Sequence, residues 1–100
     1  MTIPQHYSLQ SNAIALEVLS DEGGRISSFR SLHSGMEFLA QSNRCGPYPQ
    51  PGFHTDFREG PCAGIEECLP TVGPCGSETD GDLVPDHGDF WQLRWNVTSI

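Results

Sequence analysis

Short apolar runs separated by polar turns mark the first forty positions of the chain. Residues 13–19 read Ala-Ile-Ala-Leu-Glu-Val-Leu, a short segment rich in apolar and β-branched side chains, which is typical of a strand. Residues 25–32 place apolar side chains at three-residue intervals, and the hairpin context favours a second strand over a helix. Residues 36–40 predict a third short strand. The pattern therefore predicts a three-stranded antiparallel meander.

Glycine-containing turns separate these predicted strands. Asp21-Glu22-Gly23-Gly24 lies between the first two, and its glycines tolerate the positive φ angles of a tight turn. His33-Ser34-Gly35 lies between the second and the third. Turns this short join strands that run antiparallel, as a meander requires.

The pattern changes after residue 41. Proline and glycine interrupt residues 42–61, and residues 71–86 are again rich in turn-forming residues, so both segments are predicted to be long loops. Residues 90–97 form a last strand-like run, which would place Trp91 and Trp95 on one face. No segment predicts a helix. The sequence therefore predicts an all-β fold of antiparallel strands.

Composition bounds the size of the domain and the class of partner. A chain of 100 residues with 36% hydrophobic content makes at most one small domain. Because the strand-like run at residues 96–100 has no turn or cap after it, we expect the N-terminal part of a single larger domain. The formal net charge is −8, and all five basic residues are arginine, of which Arg25 is predicted to pair with a nearby acid. An acidic chain repels phosphate, so we expect neither nucleic acid nor a membrane surface as a partner.

Cysteine usage bears on location and on metals. The first six residues carry neither a basic start nor an apolar stretch, so the sequence predicts a cytoplasmic protein. In that reducing compartment the four cysteines would remain thiols. No two of them form a Cys-x-x-Cys pair, so we expect no metal site and no cofactor. They are Cys45, Cys62, Cys68 and Cys75.

The residues best suited to chemistry lie in the second half of the chain. His87 stands in a Pro-Asp-His-Gly turn at the mouth of the last predicted strand. Histidine is the side chain most suited to proton exchange near neutral pH. Two adjacent carboxylates, Glu66 and Glu67, precede it by about twenty positions, and Trp91 follows it. Carboxylates and tryptophan together suit a polar, ring-shaped ligand such as a sugar.

Three blocks of the sequence occur in an order that a known family shares. The first is Leu-Ser-Asp-Glu-Gly-Gly-Arg-Ile-Ser-Ser-Phe at residues 19–29, followed by Gly-Met-Glu-Phe-Leu at residues 35–39. The second is Gly-Ile-Glu-Glu-Cys-Leu-Pro-Thr at residues 64–71, and the third is Pro-Asp-His-Gly at residues 85–88. Together they resemble the galactose-mutarotase-like family, the aldose 1-epimerases. The second block is similar to a Gly-aromatic-Asp-Glu-x-x-Pro-Thr element of one bacterial branch, and the third to the family's His-Gly motif.

The resemblance implies a fold, a reaction and a role for one histidine. The implied fold is a large antiparallel β-supersandwich, here truncated, with a sugar site in a groove across one sheet. In the implied reaction a carboxylate takes the proton of the C1 hydroxyl while a histidine protonates the ring oxygen, which interconverts the anomers of an aldose. His87 matches the first site histidine. The second histidine and the base glutamate fall after residue 100 in family order, so we expect the chain alone to be inactive.

Each candidate residue also has a structural interpretation. Adjacent residues of a strand point to opposite faces, so only one of Glu66 and Glu67 faces a groove, and Glu67 is the predicted ligand. Asp86 is predicted to bind substrate or to orient the His87 imidazole, and otherwise to cap the turn. Trp91 packs in the core or stacks on a sugar. It occupies the position of an arginine in relatives that act on hexose 6-phosphates, which disfavours a phosphosugar.

Three functions remain open on these grounds. The first is an aldose 1-epimerase-like isomerase whose partner is an aldose. The second is a non-catalytic carbohydrate-binding protein of the same fold, which would lack the later histidine and glutamate. The third is a metal-binding β domain that uses His54, Asp56 and His87 together with cysteines.

Overall fold

The computed structural model describes residues 6–42, 51–52, 54–69, 71–74 and 83–99. Within these residues, three antiparallel strands form one sheet in the order β1-β2-β3. They are β1 (His6–Gln10), β2 (Ile14–Leu19) and β3 (Arg25–Ser31). Three short 3-10 helices accompany the sheet: Ser20–Glu22, Phe57–Glu59 and Phe90–Gln92. This part of the chain confirms the predicted all-β class and its antiparallel pairing.

The hairpin of β2 and β3 corresponds to the first two predicted strands. The two strands pair from one end to the other, with one irregular step after Glu17. The turn between them confirms the predicted use of glycine, because Gly23 and Gly24 have φ angles of 66° and 67°. A Cβ atom at Gly23 would lie 2.5 Å from the Cα atom of Trp91, so close packing as well as φ requires glycine there. Leu19 and Trp91 are the buried apolar side chains of the core among the described residues.

Strand β1 lies outside the segments that the sequence predicts as strands. It pairs antiparallel with β2, with Tyr7 opposite Val18 and Leu9 opposite Leu16. In β1 the alternation of apolar and polar residues rests on only two apolar side chains, which is too short a pattern to predict a strand. The hydroxyl of Ser11 accepts the backbone N–H groups of Ala13 and of Ile14, the first residue of β2, both at 3.1 Å, and so closes the turn.

The predicted third strand at residues 36–40 is wrong as a regular strand. In the described structure, this segment makes two backbone hydrogen bonds to β3, each 2.9 Å long. Between them the carboxylate of Glu37 accepts the backbone N–H groups of Phe29 at 2.8 Å and of Leu39 at 3.2 Å. Its other oxygen accepts the hydroxyl of Ser28. A side chain thus takes the place of part of the ladder that a regular strand would form.

The predicted strand at residues 90–97 is also wrong. Phe90–Gln92 is a 3-10 helix, and the residues after it are irregular. Trp91 is 5% exposed and Trp95 is 40% exposed, so the two rings occupy different environments. The backbone N–H of Trp95 donates to the carbonyl oxygen of Ser20 at 2.8 Å. The segment therefore lies along the turn between β2 and β3 and adds no strand to the sheet.

The two predicted long loops are described in part. In the first, the 3-10 helix Phe57–Glu59 begins at a capping box, in which Asp56 accepts the N–H of Arg58 at 2.8 Å and Glu59 accepts the N–H of Asp56 at 3.0 Å. None of the helices in the described ranges has the length and apolar character needed to cross a membrane. The structure does not describe residues 1–5, 43–50, 53, 70, 75–82 and 100, which include Cys45 and Cys75.

Candidate functional site

His87 is held in an unusual backbone conformation by its turn. Its φ angle is 61°, and that of Gly88 is 75°. The backbone N–H of His87 donates to the carbonyl oxygen of Val72 at 2.7 Å, and that of Gly88 to Pro85 at 2.9 Å. A positive φ is uncommon for a residue with a side chain, and it persists where surrounding contacts determine it. These two bonds fix the direction in which the imidazole leaves the backbone.

Asp86 orients the imidazole of His87. Its Oδ1 atom lies 2.9 Å from Nδ1 of His87, and its Oδ2 atom accepts the backbone N–H of Phe57 at 2.7 Å. The Phe57 N–H and then the His87 ring lower the pKa of Asp86. Because an ionised carboxylate only accepts, Nδ1 of His87 carries the hydrogen of this bond, and Nε2 is the nitrogen that can exchange a proton with a ligand. The structure thus brings two of the predicted site residues together.

The face of the imidazole packs on Phe57. The two ring centroids are 3.8 Å apart and the rings are inclined by 10°. Trp91 contacts Phe57 in an edge-to-face arrangement, with the two ring centroids 5.1 Å apart and the rings inclined by 71°. The indole N–H of Trp91 donates to the carbonyl oxygen of Asp86 at 2.8 Å. Trp91 is therefore a core residue that supports the turn, and its ring is buried.

Of the two adjacent glutamates, Glu66 points inward and Glu67 is exposed. The side chain of Glu66 is 8% exposed. Ile65 sets this orientation, because its N–H and carbonyl both bond to Ile26 at 2.9 Å. Burial raises the pKa of Glu66 to about 7, against the opposing effect of the Arg25 charge. Glu66 is thus a carboxyl that exchanges its proton near neutral pH.

Arg25 lies behind Glu66, at the start of β3. Its guanidinium bonds to Glu22 at 2.6 Å and to the carbonyl oxygen of Ala63 at 3.4 Å, which confirms the predicted pairing with a nearby acid. Its Nε atom lies 3.9 Å from Oε1 of Glu66. The side chains of Arg25 and Glu66 are 9% and 8% exposed, so these two charges face each other away from bulk water, whereas Glu22 is 32% exposed.

Two cavities meet at Glu66. The His87 groove, about 300 Å³ in volume, is lined by Ala40, Phe57, Cys62, Ala63, Gly64, Glu66, Cys68 and His87. The Arg25 pocket, about 60 Å³, is lined by Asp21, Glu22, Arg25, Pro51, Thr55, Glu59, Gly60, Pro61, Glu66 and Trp91. His87 and Glu66 therefore share a groove, whereas Trp91 lies in the pocket behind it. Glu67 lines neither of these two cavities.

The residues of the alternative metal site are divided between two cavities, with His87, Cys62 and Cys68 in the His87 groove. His54 and Asp56 line a separate depression with Asp86. In the described ranges, no three side chains of histidine, cysteine, aspartate or glutamate are placed to hold a metal ion. Burial and then nearby carboxylates raise the pKa of Cys68, so its thiol stays neutral in the groove. Cys45 and Cys75 lie outside the described residues.

Sequence reasoning did not assign a site role to Glu66 or to Phe57. The alternation of the Gly-Ile-Glu-Glu segment indicates that one glutamate faces inward, but only the pairing of Ile65 with Ile26 decides which. No local pattern relates Phe57 to His87, because they are thirty positions apart in sequence.

In comparisons with known proteins, the chain matches no protein-family model, no curated protein and no solved structure.

Proposed function

We propose that this chain supplies the sugar-binding groove of an aldose 1-epimerase-like isomerase. The observation that carries the proposal is the composition of the His87 groove. It combines an imidazole oriented by a carboxylate with a buried carboxyl whose pKa is about 7. Interconversion of anomers needs a proton donor at the ring oxygen, which the imidazole can supply, and groups that hold the sugar hydroxyls, which the carboxyl can supply. The sheet is proposed to belong to the supersandwich that the sequence resembles.

His87 is proposed to act at the ring oxygen of the sugar. With Nδ1 donating to Asp86, the protonated imidazole presents Nε2–H to the ligand. Donation of this proton to the ring oxygen, with transfer of the C1 hydroxyl proton to the base carboxylate that the resemblance assigns to a later position, breaks the bond from C1 to the ring oxygen and leaves the open-chain aldehyde. Rotation about the C1–C2 bond and the reverse proton transfers then close the ring on the other face.

Glu66 is proposed to bind a sugar hydroxyl from the same groove. It takes the role that the sequence assigns to Glu67, because Glu66 is the one that lines the groove. The resemblance assigns the base and a second histidine to positions after residue 100, so the groups described here are proposed to provide binding and one proton donor. We therefore expect polarimetry of the 100-residue chain to show anomer interconversion at the rate of buffer alone.

A second candidate is a carbohydrate-binding protein without catalysis. The observation that favours it is the same groove, since oriented donors and acceptors are sufficient for recognition of a polyol. The two candidates differ in the full protein: mutarotation above the buffer rate, lost in His87→Ala, supports the isomerase. Binding without any rate enhancement supports the second candidate.

Ligand titration followed by NMR tests the groove itself. D-glucose and D-galactose are added to the ¹⁵N-labelled chain, and we expect millimolar binding that shifts the imidazole signals of His87 and the amide of Gly64. His87→Ala should remove the shift of the Gly64 amide, while His33→Ala, a change at an exposed turn histidine, should leave both sets of shifts intact. Absence of any shift at sugar concentrations of about 100 mM, a hundredfold above a millimolar Kd, would contradict the proposal.

A further inference from the structure

One nitrogen of the buried Arg25 guanidinium makes no hydrogen bond to the described residues. Two of its nitrogens bond to Glu22 and to the Ala63 carbonyl. Its Nε atom is buried and has no hydrogen-bond partner among the described residues. A buried N–H without a partner is costly, and structures rarely keep one without a reason.

The carboxyl of Glu66 lies close to this donor without bonding to it. The Nε atom and Oε1 of Glu66 are 3.9 Å apart, about 1 Å longer than a hydrogen bond between a guanidinium and a carboxylate. Glu66 lines both the His87 groove and the Arg25 pocket. A small rotation of its side chain therefore exchanges a contact in the groove for a bond to Arg25.

We propose that Arg25 is a positioning residue that withdraws Glu66 from the His87 groove when Glu66 is ionised. The carboxylate form accepts the Nε–H of Arg25, and the neutral form stays in the groove, where its hydroxyl donates to a ligand. Loss of one proton from Glu66 to solvent is the only chemical change. The raised pKa of Glu66 places this change near neutral pH. The inference has two parts: the bond between Arg25 and ionised Glu66 is the Arg25 half, and the resulting change in ligand binding is the ligand half. The ligand half rests on the proposed function, and the Arg25 half does not.

The charged neighbours of Glu66 are consistent with an exchange driven by a single proton. Arg25 and His87 favour its ionised form, while Glu22 disfavours it. Glu22 is already bonded to Arg25, so it holds the guanidinium in place while Glu66 moves. The other titratable groups that line the two cavities are Asp21, Glu59, Cys62 and Cys68.

Side-chain NMR of the 100-residue chain without ligand tests the Arg25 half. The ¹⁵Nε and ¹Hε signals of Arg25 and the ¹³Cδ signal of Glu66 are followed from pH 5 to pH 9. We expect the three signals to titrate with one shared midpoint, displaced below the pKa of about 7 of Glu66, because a bond that only the carboxylate accepts favours the ionised form. In Glu66→Gln the Arg25 signals should no longer titrate. Glu67→Gln, the matched change at the exposed neighbour, should leave the titration as it is.

Two outcomes would overturn the Arg25 half. One is an Arg25 Nε–H signal that stays constant while Glu66 titrates. The other is an Arg25 titration that persists in Glu66→Gln, since it would then report Glu22 or His87.

The ligand half is tested by glucose binding at pH 5.5 and pH 8. We expect binding about threefold to tenfold weaker at pH 8, the effect of one lost hydrogen bond, and no such difference in Glu66→Gln. Equal affinity at both values in the parent chain would overturn the ligand half. If glucose fails to bind at either pH while the coupled titration is present, the proposed function fails and the positioning role of Arg25 stands.

Discussion

The imidazole of His87 lies almost parallel to the ring of Phe57, with 3.8 Å between the two centroids. One face of the imidazole is therefore covered, and Nδ1 is occupied by Asp86. A ligand in the groove approaches Nε2 or the remaining face. Stacking and hydrogen bonding together leave the ring one orientation, which is the preorganisation that proton transfer requires.

Asp86→Asn should change the tautomer of His87. The amide oxygen can still accept the N–H of Phe57, but the amide nitrogen would then face Nδ1 as a donor. We expect the neutral imidazole to shift its proton from Nδ1 to Nε2, read from the ¹⁵N chemical shifts of the ring. Asp89→Asn, a change at an exposed aspartate two positions after His87, is the control and should leave the tautomer unchanged. An unchanged tautomer in Asp86→Asn would show that Asp86 does not set it.

The glycine of the Gly-Ile-Glu-Glu segment should tolerate no side chain. Gly64 has a φ angle of 79°, and a Cβ atom there would lie 2.3 Å from the carbonyl oxygen of Ile26. We expect Gly64→Ala to lower the free energy of unfolding by about 2–4 kcal/mol, through strain and through a backbone contact that cannot relax cheaply. Denaturant unfolding followed by tryptophan fluorescence measures the effect.

Two other glycines separate the strain from the contact. Gly35 has a φ angle of 76° with no atom within 4 Å of an added Cβ, so Gly35→Ala should cost about 1 kcal/mol. Gly73 also has open space and lacks a positive φ, so Gly73→Ala should cost less than this. If Gly64→Ala is no more damaging than Gly35→Ala, the close approach of Gly64 to β3 is incorrect.

Local sequence was sufficient for the β2–β3 hairpin and insufficient for the segment around Trp91. The hairpin follows from one apolar run and an adjacent glycine pair, all within a few residues. The segment at residues 90–97 has the composition of a strand. Its conformation depends on Trp91, which packs against Gly23, and on the N–H of Trp95, which donates to Ser20, and these contacts are distant in sequence.

In the candidate site, too, local sequence predicted some features, and others depend on contacts that are distant in sequence. The bond between Asp86 and His87 was among the predicted alternatives because the two residues are neighbours. The prediction that one of two adjacent glutamates faces inward follows from alternation, but identifying it as Glu66 and not Glu67 required the register with β3. That register comes from a two-residue bridge between Ile65 and Ile26, which no sequence period specifies.

Glu37 should stabilise the segment that follows β3. Its carboxylate accepts from Ser28, Phe29 and Leu39, and the Ser28 hydroxyl and then the Phe29 N–H lower its pKa. Glu37→Ala should lower the midpoint of thermal unfolding, and Glu37→Gln, which keeps an acceptor, should lower it less. Because the folded pKa lies below the ordinary value, the contribution of Glu37 is present above pH 4.5 and is lost as the pH falls through the folded pKa. Equal midpoints for the parent and Glu37→Ala would contradict this role.

Glu66 should make the protein less stable as the pH rises towards neutrality. Its pKa is raised from 4.5 to about 7 by burial, so the folded protein binds this proton more tightly than the unfolded chain. The unfolding free energy should therefore fall between pH 4.5 and pH 7 and change little from this group above that range. With allowance for water at the mouth of the groove, the fall should be about 1–3 kcal/mol.

Glu66→Gln isolates this effect, because the amide cannot ionise and has almost the same shape. At pH 8 the variant should be more stable than the parent by about 1–3 kcal/mol, and at pH 4.5 the two should agree closely, as urea unfolding at each pH would show. Glu67→Gln should follow the parent at every pH, since its side chain is exposed. Two outcomes would contradict this expectation: the stability of the parent chain does not change from pH 4.5 to pH 7, or Glu66→Gln is less stable than the parent at pH 8. Either would mean that Glu66 is ionised and well paired in the folded protein. Its carboxyl would then not exchange a proton near neutral pH, and the His87 groove would lose one of its two proton-exchanging groups.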